Sequence, residues 1–308
     1  MARRWTVRDK KQNHFAPRRT PAQGARVVQN LTVPLEDELG DVLEKAMRRA
    51  GLSEEELARQ SGVAPARILD AIDYRSDLTT AELRQLATVL HLNEVGLCAL
   101  GCGQYPLPEA PALPFCVHAL RMPHGIGFAN AYLVSDCGAT QGILFDTGQD
   151  IEALTAVWPR MIKRVEGVFV THVEAEHSGG LCEVVARFGV SRAFCPSGAS
   201  VPCGQPMPEG QRLNFGHFEV QAFSTPGHAS AHNCYLVSMP GVPSGGALLI
   251  SGDLIFAGSV GGAYHCHRQL ATHLRRVLEA VPPQTVIAPG HGPMTTAGNE
   301  LRYNPFIL

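Results

Sequence analysis

Within "FVTHVEAEHSGG", residues 169–180, the side chains of His172, Glu174, Glu176 and His177 crowd into six positions between an apolar run and a pair of glycines. Imidazole nitrogen and carboxylate oxygen are donors that divalent first-row metals take at neutral pH. An extended chain sends alternate side chains to one side, so His172 and Glu174 converge, while the tight loop that follows turns Glu176 and His177 toward a neighbouring point. Two adjacent metal sites are the expected result. Further along, His228 in "STPGHASAH", Asp253 in "LISGDLIF" and His291 in "VIAPGHGP" also sit beside glycine at the ends of apolar runs. A lone histidine is ordinarily a surface or core residue; four of them with three carboxylates, all at strand ends, are what a loop-built metal pocket needs.

The elements that would position these groups can be read from periodicity. Short β runs ("CVHALRM", "NAYLVS", "GILFDTG", "EGVFVTH", "RAFCP", "HFEVQAFSTPG", "NCYLVS", "ALLISGD", "TVIAPG") alternate with helical segments near 150–164, 178–188 and 267–280, so residues 116–308 predict an α/β domain. Ahead of it, "GCGQYPLPEAPALPF" (101–115) reads as a Gly/Pro linker. Residues 36–100 carry helical spacing, with Leu39, Val42, Leu43 and Met47 on one stripe, a cap at Ser53 with Glu56, Pro65 in a first turn and a helix from Thr80; four or five short helices follow. Residues 1–35 form a basic, mobile arm, with eight Arg/Lys against one Asp in the first 30 positions.

Net charge is −2 over 308 residues, so no global field argues for nucleic acid or an anionic membrane. No run approaches the roughly 18 apolar residues of a membrane span. Nine scattered cysteines with no secretory leader read as thiols in a reducing cytoplasm. Cys98 and Cys102 lack a second pair to complete a structural zinc site, His265 and His267 in "GGAYHCHRQ" fit a surface loop, and neither a serine nucleophile elbow nor a phosphate-binding glycine loop is present.

The ordered motifs "LFDTG", "THVEAEHSGG", "TPGHASAH", "SGDLIF" and "PGHG" resemble the metallo-beta-lactamase superfamily across the second domain. "GDLIFAGSVGG" and the tail "PGHGPMTTAGNELRYNPFIL" are most similar to short bacterial relatives of glyoxalase II, which cleave glutathione thioesters. "LSEEELARQSGVAPARILDAI...LRQLATVLHL" resembles repressor-type helix-turn-helix domains. The resemblance implies an αββα sandwich after a small all-α module. It places His172, Glu174 and His228 around one metal, Glu176, His177 and His291 around another, and Asp253 between them. Asp146 would order the His172 loop, and His232 would stand behind His228. Asp253 and Glu176 are the expected catalytic carboxylates.

The chain departs from the common H-x-H-x-D-H pattern with H-x-E-x-E-H. Two divalent ions against three carboxylates leave one net positive charge where two carboxylates leave two, which raises the pKa of water at the site and weakens the nucleophile. Oxygen donors also tilt selection from zinc toward iron or manganese, and Glu at this position resembles the iron-holding flavodiiron proteins. The expected cofactor is therefore one or two divalent ions, zinc, iron or manganese. The expected activity is metal-dependent hydrolysis of a small-molecule ester or thioester, with a glutathione thioester as the candidate. The alternatives are an iron-dependent redox or sulfur-oxidising enzyme and a regulator that senses through its metal domain. Residues 36–100 hold 13 acids and seven bases, a balance of −6, and the expected recognition helix has few base-reading side chains. DNA is thus disfavoured as a partner, and docking or homo-oligomer formation is the expected role of the helical module.

Overall fold

Amphipathic spacing and local end signals set five helices at the start of the described chain: α1 (Leu39–Ala50), α2 (Glu54–Ser61), α3 (Pro65–Ile72), α4 (Thr80–Leu90) and α5 (Glu94–Gly101). In this computed structural model residues 33–109, 111–242 and 246–308 are described, so the expected basic arm lies almost wholly outside the described residues. Ser53 Oγ accepts the Glu56 N–H at 3.2 Å, Pro65 opens α3, and Thr79 and Glu82 cap α4 reciprocally. Leu43, Leu57, Ile68, Leu83, Leu86 and Leu97 are fully buried where the helices meet. Arg67 is held by Glu82 (3.0 Å) and Ser76 (2.9 Å), and Arg75 by Asp70 (2.8 Å) and Asp73 (3.2 Å).

Two six-stranded sheets follow. The first runs in spatial sequence through β1 (Cys116–His124), β2 (Gly127–Ser135), β3 (Gln141–Phe145), β4 (Arg164–Phe169), β5 (Ala193–Pro196) and β6 (Gln205–Met207). Its outer face is covered by α6 (Ile151–Ala156) and α8 (Leu181–Phe188), with the one-turn α7 (Ala175–Ser178) at its end. The second consists of β7 (Arg212–Phe215), β8 (Phe218–Ser224), β9 (Asn233–Ser238), β10 (Leu248–Gly252), β11 (Val286–Pro289) and β12 (Thr295–Thr296), also adjacent in chain order. The amphipathic α9 (His267–Ala280) lays Leu270, Leu274 and Val277 on its outer face, and α10 (Ala297–Tyr303) closes the chain. Between the sheets Phe145, Phe169, Phe194, Phe215, Phe218 and Tyr235 form the largest apolar cluster, the core of an αββα sandwich.

The helical module and the sandwich pack as one unit over residues 34–308. Lys45 Nζ donates to Val260 O at 2.7 Å, and Asp37 accepts from both Lys45 and Ser259 Oγ. Asn93 bonds Pro305 O and Arg302 O at 2.8 and 3.1 Å. At Gly96 an added Cβ would lie 2.0 Å from Tyr303 O, so only glycine lets α5 approach α10 this closely.

The expectation of uniformly reduced thiols needs a correction. Cys116 and Cys137 are joined in a disulfide. The β1–β2 ladder pairs Cys116 with Ser135, two positions from Cys137, which is a register that the sequence spacing did not reveal. Among the described residues no helix is long and apolar enough to cross a membrane.

Glu300 ties this half of the molecule together. It is fully buried on α10, and its carboxylate accepts from Tyr105 Oη (2.9 Å), Thr295 Oγ1 (2.7 Å), Gly258 N (3.1 Å) and Asn304 Nδ2 (2.8 Å). Burial pushes its pKa up against the pull of these donors. Removing the acceptor leaves several buried donors without a partner. Glu300→Ala is expected to lose on the order of 3 kcal/mol of unfolding free energy, read from urea denaturation; a loss within the scatter of exposed-site substitutions would refute this role.

Candidate metal centre

Every group singled out at a strand end arrives in one region at the same edge of the sandwich. Thr171 and His172 follow β4, Glu174 is the N-cap of α7, and Glu176 and His177 lie within it. His228 and His232 lie between β8 and β9, Asp253 follows β10, and His291 stands two residues beyond β11.

The four imidazoles of His172, His177, His228 and His291 share one arrangement, in which Nδ1 is held from behind. His228 Nδ1 donates to Gly262 O (2.7 Å), His291 Nδ1 to Phe128 O (2.9 Å) and His177 Nδ1 to Asp146 Oδ2 (3.1 Å). His172 Nδ1 donates to Thr171 Oγ1 (2.9 Å), whose own proton goes to Asp146 Oδ2 (2.9 Å). With Nδ1 protonated in each ring, the lone pair is left on Nε2 and faces inward. Asp146 also accepts the Thr171 N–H at 2.7 Å, and these bonds hold it at φ +59°, a left-handed conformation that costs a non-glycine residue about 1 kcal/mol.

Two donor groups result, each with its atoms within 4.8 Å of one another: His172, Glu174, His228 and Asp253; and Glu176, His177 and His291. Glu174 approaches His228 Nε2 at 3.1 Å and His172 Nε2 at 3.8 Å. Asp253 stands between the groups, 3.6 Å from His177 Nε2, 3.7 Å from His228 Nε2 and 3.6 Å from His291 Nε2. Among the described residues, His172 Nε2, His228 Nε2 and Asp253 Oδ1 are buried with no hydrogen-bond partner, which is costly unless something else fills the site. His177 Nε2 and His291 Nε2 lie 3.3 Å apart, and two inward lone pairs at that distance require a shared proton or a cation between them. Nitrogen and carboxylate donors in two clusters joined by an aspartate fit a pair of divalent ions.

The charges respond to this crowding. Burial and the neighbouring His177 lower the His172 pKa, while the closeness of the His172 and His228 imidazoles holds Glu174 well below the usual carboxylate range. Burial opposes charge on His177, but Asp146 and Asp253 outweigh it and raise its pKa to about 9. Burial alone would raise Asp253; the imidazoles of His291, His177, His172 and His228 instead hold it well below the ordinary value. A proton on His177 is the smallest cation able to relieve a cluster built for larger ones.

Space is controlled as tightly. A Cβ at Gly290 would lie 2.1 Å from Asp253 Oδ1 and 2.9 Å from His177 Cε1. Gly252, at φ +47°, would bring a Cβ within 2.7 Å of His232 Nε2.

The structure therefore brings together all seven proposed donors. Asp146 lies behind two of them, reaching His177 directly as well as the His172 loop. His232 is fully buried; its Nε2 accepts the Asp253 N–H at 3.1 Å and its Nδ1 donates to Thr225 Oγ1 at 2.7 Å, so it fixes the Asp253 backbone. His265 and His267 join neither donor group. Sequence reasoning missed His124, whose Nε2 is 3.3 Å from Glu176 Oε1, and Tyr264, whose exposed ring lies 5.3 Å from the His228 ring. His124 stands alone in "RMPHGIG" with no second donor nearby in sequence; only the β1–β2 hairpin carries it to the site.

Comparison with known proteins agrees with this geometry. An uncharacterized protein of Aquifex aeolicus is 29% identical over 60% of this chain and 94% of its own. The probable metallo-hydrolase YqgX of Bacillus subtilis is 27% identical over 61% and 96%. A hydroxyacylglutathione hydrolase of Hahella chejuensis is 27% identical over 41% of this chain and only 48% of its own. The crystal structure of a metallo-beta-lactamase from Staphylococcus aureus superposes with a TM-score of 0.53 at 18% identity, covering 63% of this chain and 62% of that one, which speaks to the fold. The sequence signature of the metallo-beta-lactamase superfamily spans residues 124–291, more than half of the chain and all seven of the donors built above, and to that superfamily this chain belongs.

Proposed function

We propose that this protein is a metal-dependent hydrolase of small anionic thioesters or esters, with glutathione thioesters as the substrate class. The observation that carries the reading is the double donor cluster joined by Asp253, with three buried donor atoms left without a protein partner. Divalent ions held there would supply Lewis acidity toward an acyl carbonyl and a lowered pKa for water. His172, Glu174, His228 and Asp253 would hold one ion; Glu176, His177, His291 and Asp253 the other. Glu176, 3.3 Å from His124 Nε2, would be the carboxylate that exchanges a proton in this scheme. Beside the site, the Gly261–Tyr264 segment that anchors His228 also walls a small groove of about 80 Å³ toward α1 and α9. Leu270, Leu274 and Phe306 give the groove an apolar lining, with Lys45, Arg48 and Arg49 at its border, where Asp37, Glu44 and the carbonyls of Leu90 and His91 hold them. The name of the Bacillus relative supports a metallo-hydrolase, and that of the Hahella relative a hydrolase of hydroxyacylglutathione.

A second reading, an iron-dependent redox enzyme, draws on Glu174, an oxygen donor 3.1 Å from His228 Nε2. Elemental analysis of protein purified without added metal separates the two. Zinc or manganese together with turnover of a glutathione thioester is expected for the hydrolase; iron with no thioester turnover would reject it.

His172→Ala, His228→Ala and Asp253→Ala are each expected to lose at least one equivalent of metal while the circular dichroism of the helices is retained. Retention of full metal content in all three would sink the site.

Restoring the common ligand pattern tests the charge count. Glu174→His with Glu176→Asp removes one negative charge and one methylene. Zinc affinity and hydrolysis of a glutathione thioester are expected to rise together, each by about tenfold, which corresponds to roughly 1.4 kcal/mol. Unchanged values for both would show that the third carboxylate does not govern the site.

A further inference from the structure

Away from the metal cluster, two thiols meet on the surface. Cys182 lies in the first turn of α8, and Cys203 lies in the loop between β5 and β6; both are exposed, and their sulfur atoms are 2.9 Å apart. That separation is under the contact distance of two unbonded sulfurs and about 0.9 Å longer than a disulfide bond. Cys203 holds φ +70°, a left-handed conformation that L-residues other than Asn and Asp rarely take, so the backbone spends strain where it presents this side chain to Cys182. Among the other free cysteines described, Cys195 and Cys234 are buried, Cys98 and Cys266 half-buried and Cys102 exposed; Cys182 and Cys203 are both exposed and face each other.

We propose that Cys182 and Cys203 form a reversible disulfide, a redox modification site distinct from the structural Cys116–Cys137 bond. The oxidant is a low-molecular-weight disulfide. One cysteine thiolate attacks a sulfur of the oxidant, forming a mixed disulfide and expelling one thiolate. The second cysteine, deprotonated, attacks the protein sulfur of that mixed disulfide, closes the Cys182–Cys203 bond and expels the other thiolate. Two thiol protons and two electrons leave the protein, and the oxidant departs as two thiols. The sulfur separation makes the second step intramolecular, so ring closure outruns accumulation of the mixed disulfide. The bond joins the loop of residues 197–204 to the helix that begins four residues after His177.

The test uses the full chain and oxidised glutathione as the probe, with trapping by iodoacetamide and non-reducing tryptic mapping. Arg187 and Arg192 separate the two sulfurs into the peptides Val165–Arg187 and Ala193–Arg212. The expected result is a cross-linked pair of these peptides, lighter than their sum by two hydrogens and reversed by dithiothreitol, with fragmentation assigning the bond to Cys203 rather than Cys195. Cys182→Ser and Cys203→Ser should each abolish the cross-link and leave a stable glutathione adduct on the remaining sulfur. The bridged fraction should be independent of protein concentration. Persistent glutathione adducts on both sulfurs of the unmodified chain, or a bridge between separate molecules, would overturn the proposal.

Discussion

Four imidazoles turning their lone pairs into one small volume is the condition the rest of this structure serves. Left alone, that arrangement is unfavourable: the rings are largely desolvated, the Nε2 atoms of His172 and His228 have no partner, those of His177 and His291 face each other, and three carboxylates lie among them. It persists because each Nδ1 is held from behind by a group that belongs to a different element. Asp146 comes from the end of β3, Phe128 O from β2, Gly262 O from the loop before α9 and Thr171 from the end of β4. No single element determines the geometry, so the sandwich must be assembled before the donors converge.

The chain of supports extends beyond the sandwich. Gly262, which fixes His228, lies two residues from Val260 and three from Ser259, and those two are tied to Lys45 and Asp37 at the start of the helical module. Glu300 adds a second tie through Tyr105 and Gly258. The helical module is therefore continuous with the loops that shape one wall of the site, a relation its resemblance to a free-standing DNA-binding domain does not suggest. Both Arg67 and Arg75 spend their charge on neighbouring acids within the module.

Much of this was legible in sequence because each donor follows a strand whose apolar run stops at a glycine-flanked polar residue. The strand "NCYLVS" falls where alternation places it, and the helices of residues 39–101 follow their caps and stripes. What escaped was set by distance along the chain. β6, β7 and β12 are two to four residues long with no alternating pattern, and they form because a neighbouring strand offers an edge. The stretch 150–164 shows helical spacing, yet only Ile151–Ala156 is helical, because Pro159 cannot continue a helix. His124 and the Cys116–Cys137 bond both depend on hairpin register, which side-chain spacing alone does not determine.

The two glutamates show how substitution in a crowded site is absorbed. A histidine at position 174 would have added a neutral donor; the glutamate adds a charge, and the structure answers by laying its carboxylate across His172 and His228. Glu176 carries a longer arm than aspartate, and its carboxylate meets His124, an imidazole from the opposite side of the opening. Glu176 keeps the charge of the aspartate it replaces, so the positive charge lost to Glu174 is the change that ions held between the two donor groups would experience. The reactivity of the site then turns on position 174 more than on position 176, although both depart from the common pattern.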